Sequence, residues 1–131
     1  MTDYTATYST YLSDPQNFWM EQSGLLSWIE SPSLATGDAG WFPDGVINAC
    51  HACVDTHVKS GHGDQTALIY DSPVSGKKRA YTYAELLEKI AVFAGGLKAH
   101  GVGYGGRVLI YAPMIPEAVI AMLATVRRQV F

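Results

Sequence analysis

A chain of 131 residues has the length of one ordinary domain, and 48% hydrophobic with 16% charged residues gives enough apolar material for a packed core and excludes a disordered tail. The formal net charge of −3 is unevenly placed: seven acidic and no basic residues precede Lys59, and nine basic and five acidic residues follow from there, so the two stretches carry −7 and +4. That distribution excludes an Arg-rich presequence, a secretory leader with a basic start, and a basic stripe for nucleic acid, and the longest apolar stretch, Ala118 to Val126, is too short to span a bilayer.

Residues 1 to about 45 hold Trp19, Trp28 and Trp41 among Tyr, Ser, Pro and Gly with no sustained period. Asp14-Pro15 opens a helix, since proline suits the first turn, and Phe18, Trp19, Gln22, Leu25 and Leu26 make its apolar face. Three tryptophans in an irregular leader call for a surface to lie on. Val46 to Val58 reads as a helix with Ile47, Cys50, Val54 and Val58 as one buried stripe, ended by Gly61-His62-Gly63-Asp64. Thr66 to Tyr70 is a short strand, Ser72-Pro73-Val74-Ser75-Gly76 a turn, and Lys77, Lys78, Arg79 lead a second strand to Tyr81, which makes a hairpin. Thr82-Tyr83-Ala84-Glu85 fits a capping box, so a helix follows, with Leu86, Leu87, Ile90, Phe93, Ala94 and Leu97 buried and Gly101 as its left-handed stop. Arg107 to Tyr111 is a near-continuous apolar run, expected to be a strand buried on both faces. Pro113 and Pro116 frame a loop, and Pro116 opens a helix through Glu117, Val119, Ile120, Met122 and Leu123. This order is the opening of an α/β domain rather than a complete one.

Few motifs carry chemistry. Gly101-Val102-Gly103-Tyr104-Gly105-Gly106 matches G-x-G-x-x-G, but a dinucleotide loop follows a strand and opens a helix, whereas these glycines follow a helix and precede a strand. The reading is a helix stop. Cys50-His51-Ala52-Cys53 is a C-x-x-C with no second pair to complete a zinc site, and the predicted helix makes both cysteines buried packing residues. Two cysteines in one short segment indicate no disulfide framework. His51, His57, His62 and His100 cluster with no nucleophile, and Lys77, Lys78 and Arg79 read as a solvated hairpin edge. The residues alone thus indicate a soluble α/β fragment with a Trp-rich leader, with no catalytic, cofactor-binding or metal-binding residue assigned. Its expected location is the cytoplasm, or a matrix compartment.

Several strings resemble the acetyl-/propionyl-CoA synthetase family. Asp14-Pro15-Gln16-Asn17-Phe18-Trp19 is similar to D-P-x-x-F-W, with Trp28 as the tryptophan that follows. Trp41-Phe42-Pro43-Asp44-Gly45 with Asn48 resembles the W-F-P-D-G-x-x-N of the propionyl branch. Val54-Asp55-Thr56-His57-Val58 is similar to V-D-R-H-V, with Thr56 in place of Arg. Gly63-Asp64-Gln65 through Asp71-Ser72-Pro73-Val74 to Glu85-Leu86, and Tyr111-Ala112-Pro113-Met114-Ile115-Pro116-Glu117-Ala118, complete the resemblance over nearly the whole chain. Gly106 stands where the family reads Asp, and Arg128-Gln129-Val130-Phe131 departs from its R-I-G-A, which suggests a truncated gene model, a frameshift, a retained intron or a splice form.

The resemblance implies the incomplete N-terminal part of an adenylate-forming (ANL-type) synthetase: residues 1–62 an acetyl-CoA-synthetase-type N-terminal segment, 63–127 the start of the AMP-binding domain, 128–131 a divergent tail. It also implies a two-step acid–CoA ligase reaction using ATP, magnesium and CoA in the full-length family, with the propionate branch favoured over acetate. The family's phosphate loop, magnesium and ribose contacts and catalytic lysine map onto none of these residues, so the fragment is expected to be inactive and to bind no cofactor itself. Its expected partner is the remainder of the synthetase or an intact synthetase subunit; nucleic acid and membrane are not expected. The rival reading is a non-catalytic module that docks on an intact synthetase, and an in-register phosphate loop in the genome just past the stop separates the two.

Overall fold

The computed structural model describes residues 3–128, so residues 129–131 of the expected tail lie outside it. The chain divides into two compact units, one up to Ile47 and one from Asn48.

The first unit begins with a helix that the sequence pattern did not announce. Helix α1, Tyr4–Ser13, buries no residue, so no apolar period marks it. It starts where Asp3 accepts a hydrogen bond from the Thr5 N–H at 3.1 Å, and Tyr4, Tyr8 and Tyr11 stack along it with ring centroids 5.9 and 6.1 Å apart. Helix α2, Pro15–Ser23, starts as expected, with Pro15 in its first turn and Asp14 accepting from the Asn17 N–H at 3.0 Å. It stops sooner than its apolar face suggested. Phe18, Trp19 and Gln22 are half-buried, whereas Leu25 and Leu26 lie beyond its end and are exposed. Two short strands, β1 (Thr36–Gly37) and β2 (Gly40–Trp41), pair antiparallel with Thr36 opposite Trp41.

The aromatic residues of this unit lie on one another. Trp19 meets Trp41 edge-on at 5.4 Å, Trp28 meets Phe42 at 5.3 Å, and the Trp28 indole N–H donates to the Ser23 carbonyl at 2.8 Å. The Trp41-to-Gly45 string forms the surrounding turn. Phe42 adopts the left-handed φ of 46°, Asp44 accepts from the Ser33 N–H at 2.9 Å, and Gly45 lies so near the Trp28 ring that a Cβ there would sit 2.7 Å from Cζ3.

The second unit opens with a helical run over 49–62 that is largely π-helical, at His51–Asp55 and Val58–His62. The expected helix over 46–58 is thus shifted toward the C-terminus. Val46 instead pairs with Glu30 in an isolated bridge, and Asn48 caps the run by accepting from the His51 N–H at 3.1 Å. Of the expected stripe, Cys50 and Val54 are buried, Val58 is half-buried and Ile47 is exposed. Gly61, at φ 86°, ends the regular turns.

Strands β3 (Thr66–Asp71) and β4 (Lys78–Thr82) form the expected antiparallel hairpin, with Ile69 opposite Ala80 and Asp71 opposite Lys78. The capping box is complete. Thr82 Oγ1 accepts from the Glu85 N–H at 3.2 Å, and Glu85 Oε2 accepts from the Thr82 N–H at 2.9 Å. Helix α3, Tyr83–Ala99, buries Leu86, Ile90 and Ala94, a stripe of strict four-residue spacing that leaves Phe93 exposed, contrary to expectation. Its end is a Schellman motif: the Gly101 N–H donates to Lys98 O and the Val102 N–H to Leu97 O, both at 3.0 Å, with Gly101 at φ 78°. Helix α4, Pro116–Arg127, packs Ile120 and Ala124 against this stripe. Ile90, fully buried between the helices, is worth about 2 kcal/mol of burial.

The expected strand over Arg107 to Tyr111 does not form. The sheet of this unit is the hairpin alone, so the segment has no strand beside it to supply ladder hydrogen bonds, and Leu109 and Tyr111 stand in solvent rather than between two layers.

Candidate functional site

The C-x-x-C residues separate. Cys50 is fully buried, while Cys53 points to solvent, which corrects the expectation that both are core thiols. Burial raises the Cys50 pKa above its ordinary value and outweighs the pull of Arg127, whose Nη1 lies 3.8 Å from the sulfur. A thiol held protonated is neither nucleophile nor metal ligand. Among the described residues no three His, Cys, Asp or Glu side chains gather as a metal site.

Around Cys50 lies a polar node that joins the 49–62 run to the end of α4. Arg127 Nη1 donates to Asp55 Oδ2 at 2.7 Å, and that bond, more than any other cause, raises the Arg127 pKa. Asn48 Nδ2 donates to the Val126 carbonyl at 3.0 Å, satisfying one of the acceptors that a helix end leaves open. His51 Nδ1 is 3.9 Å from Asp55. Thr56, in the place of the family's Arg, donates its hydroxyl to Ala52 O at 2.7 Å. The Arg127–Asp55 and Asn48–Val126 bonds fasten the 49–62 run to the end of α4.

The glycine run does not fit a nucleotide phosphate. Its first N–H groups are spent on the last carbonyls of α3, and a helix C-terminus carries partial negative charge, which repels phosphate. The remaining polar candidates also serve structure. His57 stacks on Tyr83 at 4.4 Å, His62 pairs with Ser60 at 3.1 Å, and His100 closes α3. On the hairpin edge Lys78 pairs with Asp71 at 2.6 Å and Arg79 covers the buried Tyr81 ring at 4.4 Å.

One concavity of the second unit is apolar. A groove of about 920 Å³ runs between the hairpin, through Leu68, Tyr70 and Val74, and the segment entering α4, through Ile110 and Met114, with Met122 of α4 also lining it. Val74 and Met114 are almost fully exposed on its rim. Exposed apolar surface of this kind marks a place for another polypeptide or an apolar ligand rather than a polar reaction centre.

Residues 4–53 match the acetyl-coenzyme A synthetase N-terminus and residues 55–130 match the AMP-binding enzyme family. The chain is 44% identical over 126 residues to acetyl-coenzyme A synthetase of Streptomyces avermitilis, covering 92% of this chain and 19% of that protein. It is 38% identical over 136 residues to human acyl-CoA synthetase short-chain family member 3, mitochondrial, covering 96% and 19%. The solved acetoacetyl-CoA synthetase from Streptomyces lividans superposes with a TM-score of 0.81 at 27% identity, over 98% of this chain and 21% of that one. The chain therefore spans about a fifth of the length of the relatives it matches. With both segments matched in order along it, this chain belongs to the AMP-binding enzyme family and corresponds to an N-terminal portion of the acetyl-coenzyme A synthetase family.

Proposed function

We propose that this chain is the N-terminal scaffold of an AMP-forming short-chain acyl-CoA synthetase and that it forms no acyl-AMP by itself. In the whole enzyme's reaction a carboxylate oxygen attacks the α-phosphorus of ATP and expels pyrophosphate. The CoA thiol then attacks the acyl carbon and releases AMP. The chemistry needs phosphate-binding N–H groups, lysine and magnesium where charge develops. The scaffold's part is to hold the apolar groove and the hairpin for the remainder of the synthetase, or an intact synthetase subunit, which is its partner. The observation that carries the reading is the likeness to a solved synthetase over 98% of this chain but only 21% of the other. Propionate is the favoured acyl substrate of the whole enzyme, a reading supported by the Trp41 to Gly45 and Asp71 to Val74 strings.

The chain incubated with ATP, magnesium and propionate releases no pyrophosphate above a buffer blank. Grafted in place of the matched span of the Streptomyces avermitilis synthetase, it supports acyl-CoA formation. Pyrophosphate from the chain alone, or a folded graft that makes no acyl-CoA, overturns the scaffold reading. A higher kcat/KM for acetate than for propionate in the full-length enzyme overturns the choice of substrate.

A further inference from the structure

The first unit holds a corner of aromatic rings. Tyr11, Phe18 and Trp19 meet pairwise at 73°, 73° and 83°, with ring centroids 5.2 to 6.4 Å apart. With Tyr4, Thr7 and Tyr8 they line a concavity of about 290 Å³ between α1 and α2. Walls at near-right angles put ring surface on three sides of whatever enters. Tyr8 and Tyr4 carry one wall outward as a rail along α1, stacked 5.9 Å apart, and Tyr4 is 78% exposed. Because α1 buries no residue, the rings it carries are not spent on a core.

The charge around this corner has one sign. No Lys, Arg or His precedes His51, so the first unit supplies no side-chain cation. Carboxylates flank the rings instead: Asp3 and Asp14 at the two ends of α1 and Glu21 on α2, all exposed. Aromatic faces are electron-rich and attract a cation set within about 6 Å of the ring centre. The second unit uses this interaction internally, with Arg79 4.4 Å and Lys89 5.9 Å from the centre of the Tyr81 ring. In the first unit the rings and the negative charge stand together with no side-chain cation to meet them.

We propose that the corner of Tyr11, Phe18 and Trp19 binds the ammonium group of a lysine presented by a partner polypeptide, with the lysine's methylene stem along the Tyr8 and Tyr4 rail. Charge complementarity decides for a cation, because acids without bases surround the rings. Size decides for a single side chain, because about 290 Å³ lies below the range of about 300–1,000 Å³ that holds a drug-sized ligand. Shape decides for lysine. A compact ammonium on an apolar stem fits a corner that continues into a rail, whereas the flat guanidinium of arginine stacks on one ring face. The site lies wholly in the first unit, goes beyond the scaffold reading and does not depend on it.

The test titrates the whole 131-residue chain and follows the Trp19 indole resonances by NMR. The probes are a blocked glycine peptide with one central lysine, the same peptide with norleucine or with arginine in that place, and tetramethylammonium chloride. The lysine peptide shifts the Trp19 resonances saturably and binds about tenfold tighter than the norleucine peptide, which keeps the stem and lacks the charge. It also binds tighter than the arginine peptide and than tetramethylammonium. Tyr11→Leu removes one wall and weakens lysine binding by about tenfold, and Tyr8→Leu, on the rail, weakens it by about threefold. Both leave the thermal midpoint in place, since α1 buries nothing. Tyr104→Leu, which removes an exposed ring of the second unit, binds as the parent does. No saturable shift, or equal binding of the norleucine peptide, overturns the cation site. Tighter binding of tetramethylammonium overturns the polypeptide source, and tighter binding of the arginine peptide overturns the choice of lysine. Undiminished binding by Tyr11→Leu and Tyr8→Leu overturns the location, and Tyr8→Leu alone decides it if Tyr11→Leu lowers the thermal midpoint.

Discussion

Cys50 and Cys53 are three residues apart on one helical run, yet one is sealed and the other open to solvent. The difference sets their reactivity, because the thiolate is the nucleophile and burial raises the Cys50 pKa. In native protein one thiol, Cys53, reacts with a disulfide reagent such as DTNB, and a second reacts only when denaturant is added. Two fast thiols would place Cys50 outside the core. Asp44 shows the opposite shift. Hydrogen bonds from Ser33, through its side chain and its backbone N–H, lower its pKa below the ordinary 3.8. A group whose folded pKa is depressed adds stability above its unfolded pKa and loses it as pH falls through the folded value. The aromatic turn therefore holds at pH 5 and loosens as the pH is lowered below about 3.8, read from tryptophan fluorescence. Asp44→Asn removes that acid limb. An unchanged acid limb in the variant would assign the transition to another carboxylate.

At the scale of elements, local hydrogen bonding decides where helices begin and end. Thr82 and Glu85 satisfy each other's backbone at the start of α3, the helix that contributes Leu86, Ile90 and Ala94 to the core. Thr82→Ala costs about 1 kcal/mol of unfolding free energy, measured by urea denaturation. A variant as stable as the parent would mean that packing alone starts the helix. The end of α4 is held differently, by partners far along the chain. Arg127 donates to Asp55, and removing one side of a charged hydrogen bond leaves the other poorly solvated. Asp55→Ala costs about 2 kcal/mol by the same measurement. A loss no greater than that of an exposed surface ion pair would show that the node is dispensable.

For the molecule as a whole, the core of the second unit and its surface make opposite demands. Ile90, Val54 and Cys50 are sealed. Leu109, Tyr111, Met114 and Val74 are almost wholly in solvent. Contiguous apolar surface and a free strand edge both favour association. The chain alone therefore associates as its concentration rises, seen in sedimentation velocity, and a Leu109→Lys, Met114→Lys variant stays monomeric with a similar thermal midpoint. A parent that remains a monodisperse monomer with a sharp cooperative melt would give the independent docking module the advantage over the scaffold. No helix of the described residues is long and apolar enough to cross a membrane.

What the sequence by itself determined is whatever depends on neighbours a few residues away. The Asp14-Pro15 helix start, the Thr82 capping box, the hairpin turn before Lys77 and the Gly101 stop were all legible, because each is one residue's side chain or φ serving backbone within one turn. The family was legible too, since its strings are of this local kind. What only the tertiary structure decided is whatever depends on distant partners. Asn48 reaches the Val126 carbonyl 78 residues away, and Arg127 reaches Asp55 across 72. No spacing rule shows which cysteine such a node will seal. Helix α1 was invisible because it buries nothing, leaving no apolar period to read. Arg107 to Tyr111 departs from its sequence pattern for the complementary reason. Its composition suits a strand, but a strand exists only when another backbone lies beside it, and among the described residues none does.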